Sequence, residues 1–193
     1  MVSSLTTTPR RKGRIAFFIA LTLALAVAQA QTQTTKTTAR SPATIEKPAA
    51  ALEKPVMVVG KTLDGQVFDM QALRGKVVLV MLWSSDCAMC RDRMPELRDN
   101  YMGWKGKPFE IVAISHDAKR QDLLSYQQVI ASSVKSNQRF PWLWAGEFEH
   151  KDSLGKPKTM PMSYLIDKKG MVVETHSGRI PPEVWDKIAD LVY

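Results

Sequence analysis

The chain contains two cysteines, Cys87 and Cys90, which stand three positions apart in the segment Cys87-Ala-Met-Cys90. On the first turn of a helix, this spacing brings the two sulfur atoms together, so that one thiol can resolve a mixed disulfide formed by the other. A helix N-terminus favours an anion, and the thiolate is the form of cysteine that attacks disulfides. Cys87, nearer the helix start, is therefore the candidate nucleophile, and Cys90 is the candidate resolving thiol.

Two other roles for the cysteine pair stay open at this point. A purely structural disulfide would close a loop of only four residues, for which the chain-entropy model gives about 2 kcal/mol of stabilisation. A zinc site would need two further ligands, and the three histidines, His116, His150 and His176, are scattered along the sequence. The sequence favours redox chemistry, and we expect neither a metal site nor a cofactor.

The apolar pattern predicts the elements that position this pair. Val77–Trp83 is a continuous apolar run, typical of a strand buried on both faces, and a helix is predicted from residue 87 to about residue 102. A hairpin precedes them, with strands at 56–59 and 66–70 around the turn residues Asp64-Gly65. The remaining predicted elements are strands at Phe109–Ser115, 141–145, Met162–Ile166 and 171–175, and helices at 122–134 and from 181 onward.

This order of elements predicts an α/β fold. Buried strands that are connected through helices imply a sheet with parallel central strands. The hairpin formed by Met162–Ile166 and 171–175 adds antiparallel strands, so the central sheet is expected to be mixed and flanked by helices.

The first thirty residues have the pattern of a secretory signal peptide. The basic segment PRRKGR is followed by the apolar stretch 15–28 and by the cleavage pattern Ala28-Gln29-Ala30. The stretch is short for a membrane-spanning helix, which needs about 20 residues, and an uncleaved N-terminal anchor is the alternative. A twin-arginine signal at Arg10-Arg11 is a weaker match. Both main interpretations place the folded part in the periplasm, where disulfides can persist.

Composition divides the rest of the chain into a linker and one domain. Residues 31–55 are rich in Thr, Ala, Pro and Lys and contain no aromatic residue, which predicts a flexible linker. The folded domain is expected to span 56–193. Half of the net charge of +8 lies in residues 1–30, which carry no acidic residue. The remaining surplus is small and has no aromatic-rich basic cluster, so we expect no nucleic-acid partner.

Two segments resemble the TlpA/ResA-type thioredoxin-like proteins. Residues 75–97, GKVVLVMLWSSDCAMCRDRMPEL, are similar to the family pattern GKvvlvnFWAsWCxxCrxEmPeL. Residues 160–170, MPMSYLIDKKG, are similar to the later pattern P-t-x-f-l-I-D-x-x-G. The resemblance extends over about 56–193, and it implies a thioredoxin-like fold with an N-terminal β-hairpin extension.

The resemblance also implies roles for individual residues. Cys87 corresponds to the family's nucleophile and Cys90 to its resolving cysteine. Pro161 corresponds to the cis-proline that faces the CxxC pair, where the backbone of Met160 would pair with an extended substrate segment. Trp83 would pack beside the site, and we expect Met160 and Trp83 to bind substrate. Without the resemblance, Pro161 would be an ordinary trans proline and Trp83 a plain core residue.

The resemblance implies partners as well. Family members reduce disulfides in exported proteins, and apocytochrome c and copper-site cysteines are typical targets. An oxidising compartment does not restore a dithiol, so a membrane thiol electron donor is also expected. Residues 15–28 are the candidate membrane tether.

Three positions depart from the family pattern. Asp86 replaces the Trp before the nucleophile, Arg93 replaces the Glu after the second cysteine, and Met81 stands where some thioredoxins have a buried acid. A carboxylate at position 86 disfavours a neighbouring thiolate, whereas a cation at position 93 favours one if its side chain turns that way. We interpret Asp86 as the N-cap of the helix. The alternative is that Asp86 accepts the proton of Cys90.

Two other functions stay open. A copper-binding chaperone would use the same two cysteines with Met or His, but copper-delivery relatives of this fold place three residues between their cysteines and use a distal His. A peroxiredoxin-like peroxidase would have Pro and Thr ahead of its reactive cysteine, and the segment Trp83-Ser-Ser-Asp86 has neither.

Overall fold

The structure is a computed structural model that describes residues 54–193. The predicted signal peptide and nearly all of the predicted linker lie outside these residues, so both stay predictions. In the part of the chain that is described, no helix has the length and apolar character needed to cross a membrane.

The described residues form strands and helices in the order that the sequence predicts, with one added strand. The elements are β1 Val58–Lys61, β2 Val67–Asp69, a 3₁₀ turn Met70–Leu73, β3 Val77–Trp83, α1 Ala88–Gly103, β4 Phe109–Ser115, α2 Arg120–Ile130, a 3₁₀ turn Ser136–Gln138, β5 Trp142–Trp144, β6 Lys151–Asp152, β7 Met162–Ile166, β8 Val172–Ser177 and α3 Pro182–Val192.

The central sheet has the strand order β5-β4-β3-β7-β8. Strands β3, β4 and β5 run parallel to one another, and their register pairs Leu79 with Ile111 and Ile114 with Leu143. Strand β7 is antiparallel to β3, and β8 is antiparallel to β7. The predicted mixed sheet is therefore confirmed, and β3 lies at its centre.

Both faces of β3 are buried, because each is covered by a different layer. Val77, Leu79, Met81 and Trp83 pack into one cluster with apolar side chains of the three helices. The alternate residues Val78, Val80 and Leu82 pack into a second cluster with side chains of the N-terminal hairpin. The alternation follows from the two-residue period of a strand.

The predicted hairpin forms, but it belongs to a separate three-stranded sheet of order β2-β1-β6. Strand β6, which pairs antiparallel with β1 through Val58 and Asp152, was not predicted. Two residues carry no periodicity, so only the long-range pairing with β1 identifies this strand.

Helix α2 is shorter at its C-terminus than the predicted helix 122–134. It ends at Ile130, whose carbonyl accepts hydrogen bonds from the N–H of Ser133 at 3.0 Å and from the Ser133 hydroxyl at 2.9 Å. A serine that bonds the backbone in this way competes with the helical pattern. The helix 122–134 was predicted from apolar residues at helical spacing, but one of these residues, Val129, is 78% exposed and does not pack against the core.

Truncation at the centre of the sheet will test the role of β3. Leu79 is fully buried between Ile111 and Leu165. We expect Leu79→Ala to lower the free energy of unfolding by about 2–5 kcal/mol, because the removed methyl groups leave a cavity. Urea unfolding measures this loss. The control is Val129→Ala on the exposed face of α2, for which we expect a change within about 0.5 kcal/mol. Equal effects of the two substitutions would contradict the assignment of β3 as the centre of the core.

Candidate active site

The cysteine pair lies where β3 gives way to α1. Cys87 is the N-cap of α1, and its Sγ accepts a hydrogen bond from the N–H of Cys90 at 3.1 Å. The sulfur thus takes the place that a Ser or Asp oxygen occupies in an ordinary cap. A negative charge on this atom is stabilised by the N–H group and by the positive end of the helix dipole.

The two sulfurs are joined in a disulfide, with the Cα atoms of Cys87 and Cys90 5.2 Å apart. Their exposure differs, because Cys87 is half-buried whereas Cys90 is fully buried. The buried sulfur belongs to the same core cluster as Met81 and Met94. Only Cys87 is placed to meet a molecule from outside, which is the asymmetry that a nucleophile and a resolving thiol need.

The Met160–Pro161 peptide bond is cis, as the family resemblance implies. The segment faces the cysteine pair, since the Met160 carbonyl oxygen lies 3.8 Å from Cys87 Sγ. The Pro161 carbonyl is already used, because it accepts a hydrogen bond from the N–H of Gly178 at 2.8 Å. The N–H of Met160 has no hydrogen-bond partner within residues 54–193.

Asp86 is not the helix cap that we predicted. Cys87 holds that position, and the Asp86 carboxylate instead accepts a hydrogen bond from the Ser84 hydroxyl. The prediction failed because it assumed that an oxygen would cap the helix in preference to the sulfur one residue later. Asp86 itself is exposed, and the alternative that it accepts the proton of Cys90 stays a hypothesis.

A buried carboxylate that the sequence analysis missed holds the loop before Cys87. Asp117 follows β4, and its Oδ1 accepts hydrogen bonds from the N–H of Ser85 at 2.8 Å and from the Ser85 hydroxyl at 2.6 Å. Its other oxygen accepts a hydrogen bond from the Ser115 hydroxyl. The signal for this role is an acid just past the end of a buried strand, where parallel strands present their functional groups.

The predicted substrate contact at Trp83 finds no exposed surface in the structure. It is fully buried and packs edge-to-face on Tyr126 and Trp142, with ring centroids 5.4 and 5.0 Å away. A side chain at the end of a strand that is covered on both faces has no route to the surface. Trp83 is therefore a core residue, and it shares the core cluster with Cys90.

Arg93 faces carboxylates. Its guanidinium lies 2.7 Å from Asp92 and 3.4 Å from Glu96, and Glu96 also lies 3.4 Å from Arg179. Because these acids already compensate its charge, the expectation that Arg93 stabilises the thiolate gains no support from its contacts. Met81, at the position where some thioredoxins have a buried acid, is fully buried in the core cluster that contains Cys90.

His116 follows β4 and lies beside the end of β3. Its backbone N–H donates a hydrogen bond to the Trp83 carbonyl at 2.7 Å. Burial lowers the pKa of His116 below its ordinary value, and the positive charge of Lys156 acts in the same direction, against the attraction of Asp152. Within residues 54–193, no group of three His, Cys, Asp or Glu side chains is arranged to hold a metal ion.

Comparisons with known proteins agree with this geometry. Residues 45–175 match the family model described as the AhpC/TSA family. The thiol-disulfide oxidoreductase ResA of Bacillus anthracis is 32% identical over 133 residues, which cover 69% of this chain and 72% of that protein. The ResA protein of Halalkalibacterium halodurans is 25% identical over 144 residues, which cover 75% of this chain and 78% of that protein.

Solved structures show the same fold at lower identity. A thiol:disulfide interchange protein of the thioredoxin family from Chlorobium tepidum matches with a TM-score of 0.56 at 21% identity, over 72% of this chain and 97% of that one. StoA from Bacillus subtilis matches with a TM-score of 0.52 at 19% identity, over 69% and 96%. These similarities confirm the predicted thioredoxin-like fold.

Removal of the Asp117 charge will test whether this carboxylate holds the active-site loop. In Asp117→Asn, an NH2 group replaces one carboxylate oxygen, and because this group donates hydrogen bonds and does not accept them, a hydrogen bond that this oxygen accepted is lost. We expect the free energy of unfolding to fall by about 1–3 kcal/mol, measured by urea unfolding. Asp186→Asn, on the exposed side of α3, is the matched control and should leave stability within about 0.5 kcal/mol. Unchanged stability in Asp117→Asn would show that the loop does not depend on this charge.

Proposed function

We propose that this chain, which belongs to the AhpC/TSA family and is a thiol–disulfide oxidoreductase of the ResA type, reduces disulfides in exported proteins. The observation that carries this proposal is the unequal placement of the two sulfurs. Cys87 is reachable at a helix N-terminus and lies opposite Met160, whereas Cys90 is buried directly behind it.

The reaction proceeds in two exchanges. The Cys87 thiolate attacks a substrate disulfide, the Cys87–substrate bond forms, and the first substrate sulfur leaves as a thiolate that takes up a proton. The Cys90 thiol then loses its proton and attacks Cys87 Sγ, which releases the second substrate sulfur as a thiol. Two electrons pass from the protein to the substrate, and the Cys87–Cys90 disulfide remains.

The N-terminus of α1 favours the first exchange. The Cys90 N–H, 3.1 Å from Cys87 Sγ, stabilises negative charge on the attacking sulfur. In the second exchange Cys87 Sγ is the atom that Cys90 attacks, and the substrate sulfur is the leaving group.

A substrate segment has a place to lie beside the cysteine pair. The free N–H of Met160 can donate to an extended peptide in the manner of a neighbouring strand. Met89, between the cysteines, is 52% exposed. Gly178 is its neighbour, since a side chain added at Gly178 would begin 3.7 Å from the Met89 sulfur. Methionine side chains adapt to different surfaces, so the exposed side chain of Met89 suits substrates of varied sequence.

The cellular setting of the proposal comes from the N-terminal sequence and the family resemblance. The signal-like residues 1–30 support export to the periplasm, with residues 15–28 as a membrane tether if the signal is not removed. Apocytochrome c and proteins with copper-site cysteines are the proposed substrates. A membrane thiol donor would return two electrons to the Cys87–Cys90 disulfide after each turnover.

Single substitutions will separate the roles of the two cysteines. In Cys90→Ser, the second exchange is blocked, so Cys87 should remain linked to the substrate as a mixed disulfide. In Cys87→Ser, no adduct should form, because Cys90 is fully buried. Incubation with a peptide that contains one disulfide, followed by non-reducing electrophoresis and mass spectrometry, measures both outcomes. Adducts on Cys90 instead of Cys87 would reverse the assignment.

The reduction potential of the Cys87–Cys90 pair decides the direction of electron flow. Equilibration of the purified chain with dithiothreitol or glutathione buffers should give a value near that of thioredoxin, roughly −270 mV, or lower. A value near that of the strong oxidant DsbA, about −120 mV, would make the protein an oxidant of its substrates and refute the proposed direction.

The other candidate functions predict different results from the same reduced protein. Tight binding of Cu(I) without any reduction of disulfides would favour the copper-binding chaperone. Consumption of peroxide at a rate well above that of simple thiols would favour the peroxidase.

A further inference from the structure

A cavity of about 660 Å³ lies apart from the cysteine pair, between the N-terminal hairpin and helix α2. This volume falls within the range of small-molecule sites, roughly 300–1,000 Å³. Its walls combine polar side chains, among them four glutamines, with apolar and aromatic ones that include Leu63, Phe68, Leu124, Phe140 and Trp142. Neither cysteine lines it, so it is not part of the redox site.

One charged side chain in the lining forms no ion pair with any residue of the described part, 54–193. Arg98 on α1 is only 7% exposed, and its Nη2 is buried without a hydrogen-bond partner among the described residues. Its guanidinium lies over the face of Trp142, with the guanidinium carbon 5.7 Å from the ring centroid. A buried cation is ordinarily paired with an anion, and an aromatic face compensates its charge only in part.

The rest of the lining does not provide that anion. Among the described residues of the lining, Asp64 is the one carboxylate, and it is exposed and accepts a hydrogen bond from the Thr62 hydroxyl. Arg139, also in the lining, adds a second positive charge at an exposed position. The cavity therefore combines an excess of positive charge with apolar and aromatic side chains.

We propose that this cavity binds a small organic carboxylate with an apolar body. The carboxylate would accept a hydrogen bond from the guanidinium of Arg98, and the apolar body would lie against the aromatic walls near Phe140 and Trp142. A single negative charge fits best, because Arg98 is the one buried cation in the lining. This proposal does not depend on the function of the cysteine pair, because the test uses the oxidised protein.

Titration of three probes against the oxidised chain tests this proposal. The probes are 3-phenylpropionate, its neutral amide 3-phenylpropionamide, and acetate, which has the charge but no apolar body. Two-dimensional ¹H–¹⁵N NMR locates binding through the signals of Leu63, Leu124 and Trp142, and gives the dissociation constants. We expect 3-phenylpropionate to bind at least about tenfold more tightly than either other probe, since an ionic hydrogen bond and apolar burial act together.

Two variants locate the charge that is responsible. Arg98→Met keeps the apolar stem and should reduce the affinity for 3-phenylpropionate to that for the amide. Arg120→Met, which removes an exposed arginine of α2 outside the cavity lining, should leave the affinity unchanged. If Arg98→Met does not fold, the contrast between carboxylate and amide in the unaltered protein still decides the question.

Three results would overturn the proposal. They are the absence of shifts at the cavity with 3-phenylpropionate, equal affinity for carboxylate and amide, and equal affinity for acetate and 3-phenylpropionate. The first rules out the site, the second rules out a role for Arg98, and the third rules out a role for the apolar walls.

Discussion

The burial of β3 on both faces is the constraint on which the rest of the structure depends. Its side chains alternate between the cluster under the helices and the cluster under the hairpin, and none of them meets solvent. A strand held in this way can neither slide nor rotate, because a shift of one residue would exchange its two sets of side chains. The end of β3 therefore fixes where the chain turns into α1, and so where Cys87 and Cys90 lie.

A second buried group fixes the loop between β3 and α1. The carboxylate of Asp117, just past the end of the adjacent parallel strand β4, accepts hydrogen bonds from the N–H and the hydroxyl of Ser85. The family's Trp before the nucleophile is replaced by Asp86, but that side chain is exposed and bonds to Ser84. The departure lies on the surface beside Cys87, and the cysteine pair stands at the helix start.

The sequence predicted those elements and site residues that neighbouring positions specify, and it missed those that depend on contacts between distant positions. The bounds of β3, β4 and β7 follow from apolar runs, and the cysteine spacing identifies the redox pair without any structure. Strand β6 escaped prediction because its pairing partner lies far away in the sequence. The apolar run also predicted the burial of Trp83, and it was the resemblance that added a substrate contact for which the structure offers no exposed surface. The Arg98 cavity depends on three separate segments, and no local pattern encodes their distance.

The topology of the sheet also bears on when, during folding, Cys87 and Cys90 come to differ in their exposure. Cys87 and Met160 are separated by 73 positions, and they meet only after β7 pairs with β3. Such long-range pairing is slow to form, because the entropy of closing the intervening chain is lost before contacts compensate for it. Until then Cys90 has no complete core around it, and both thiols are open to the oxidants of their surroundings. We therefore expect the difference between an attacking and a resolving cysteine to be acquired late in folding, after β7 has paired with β3.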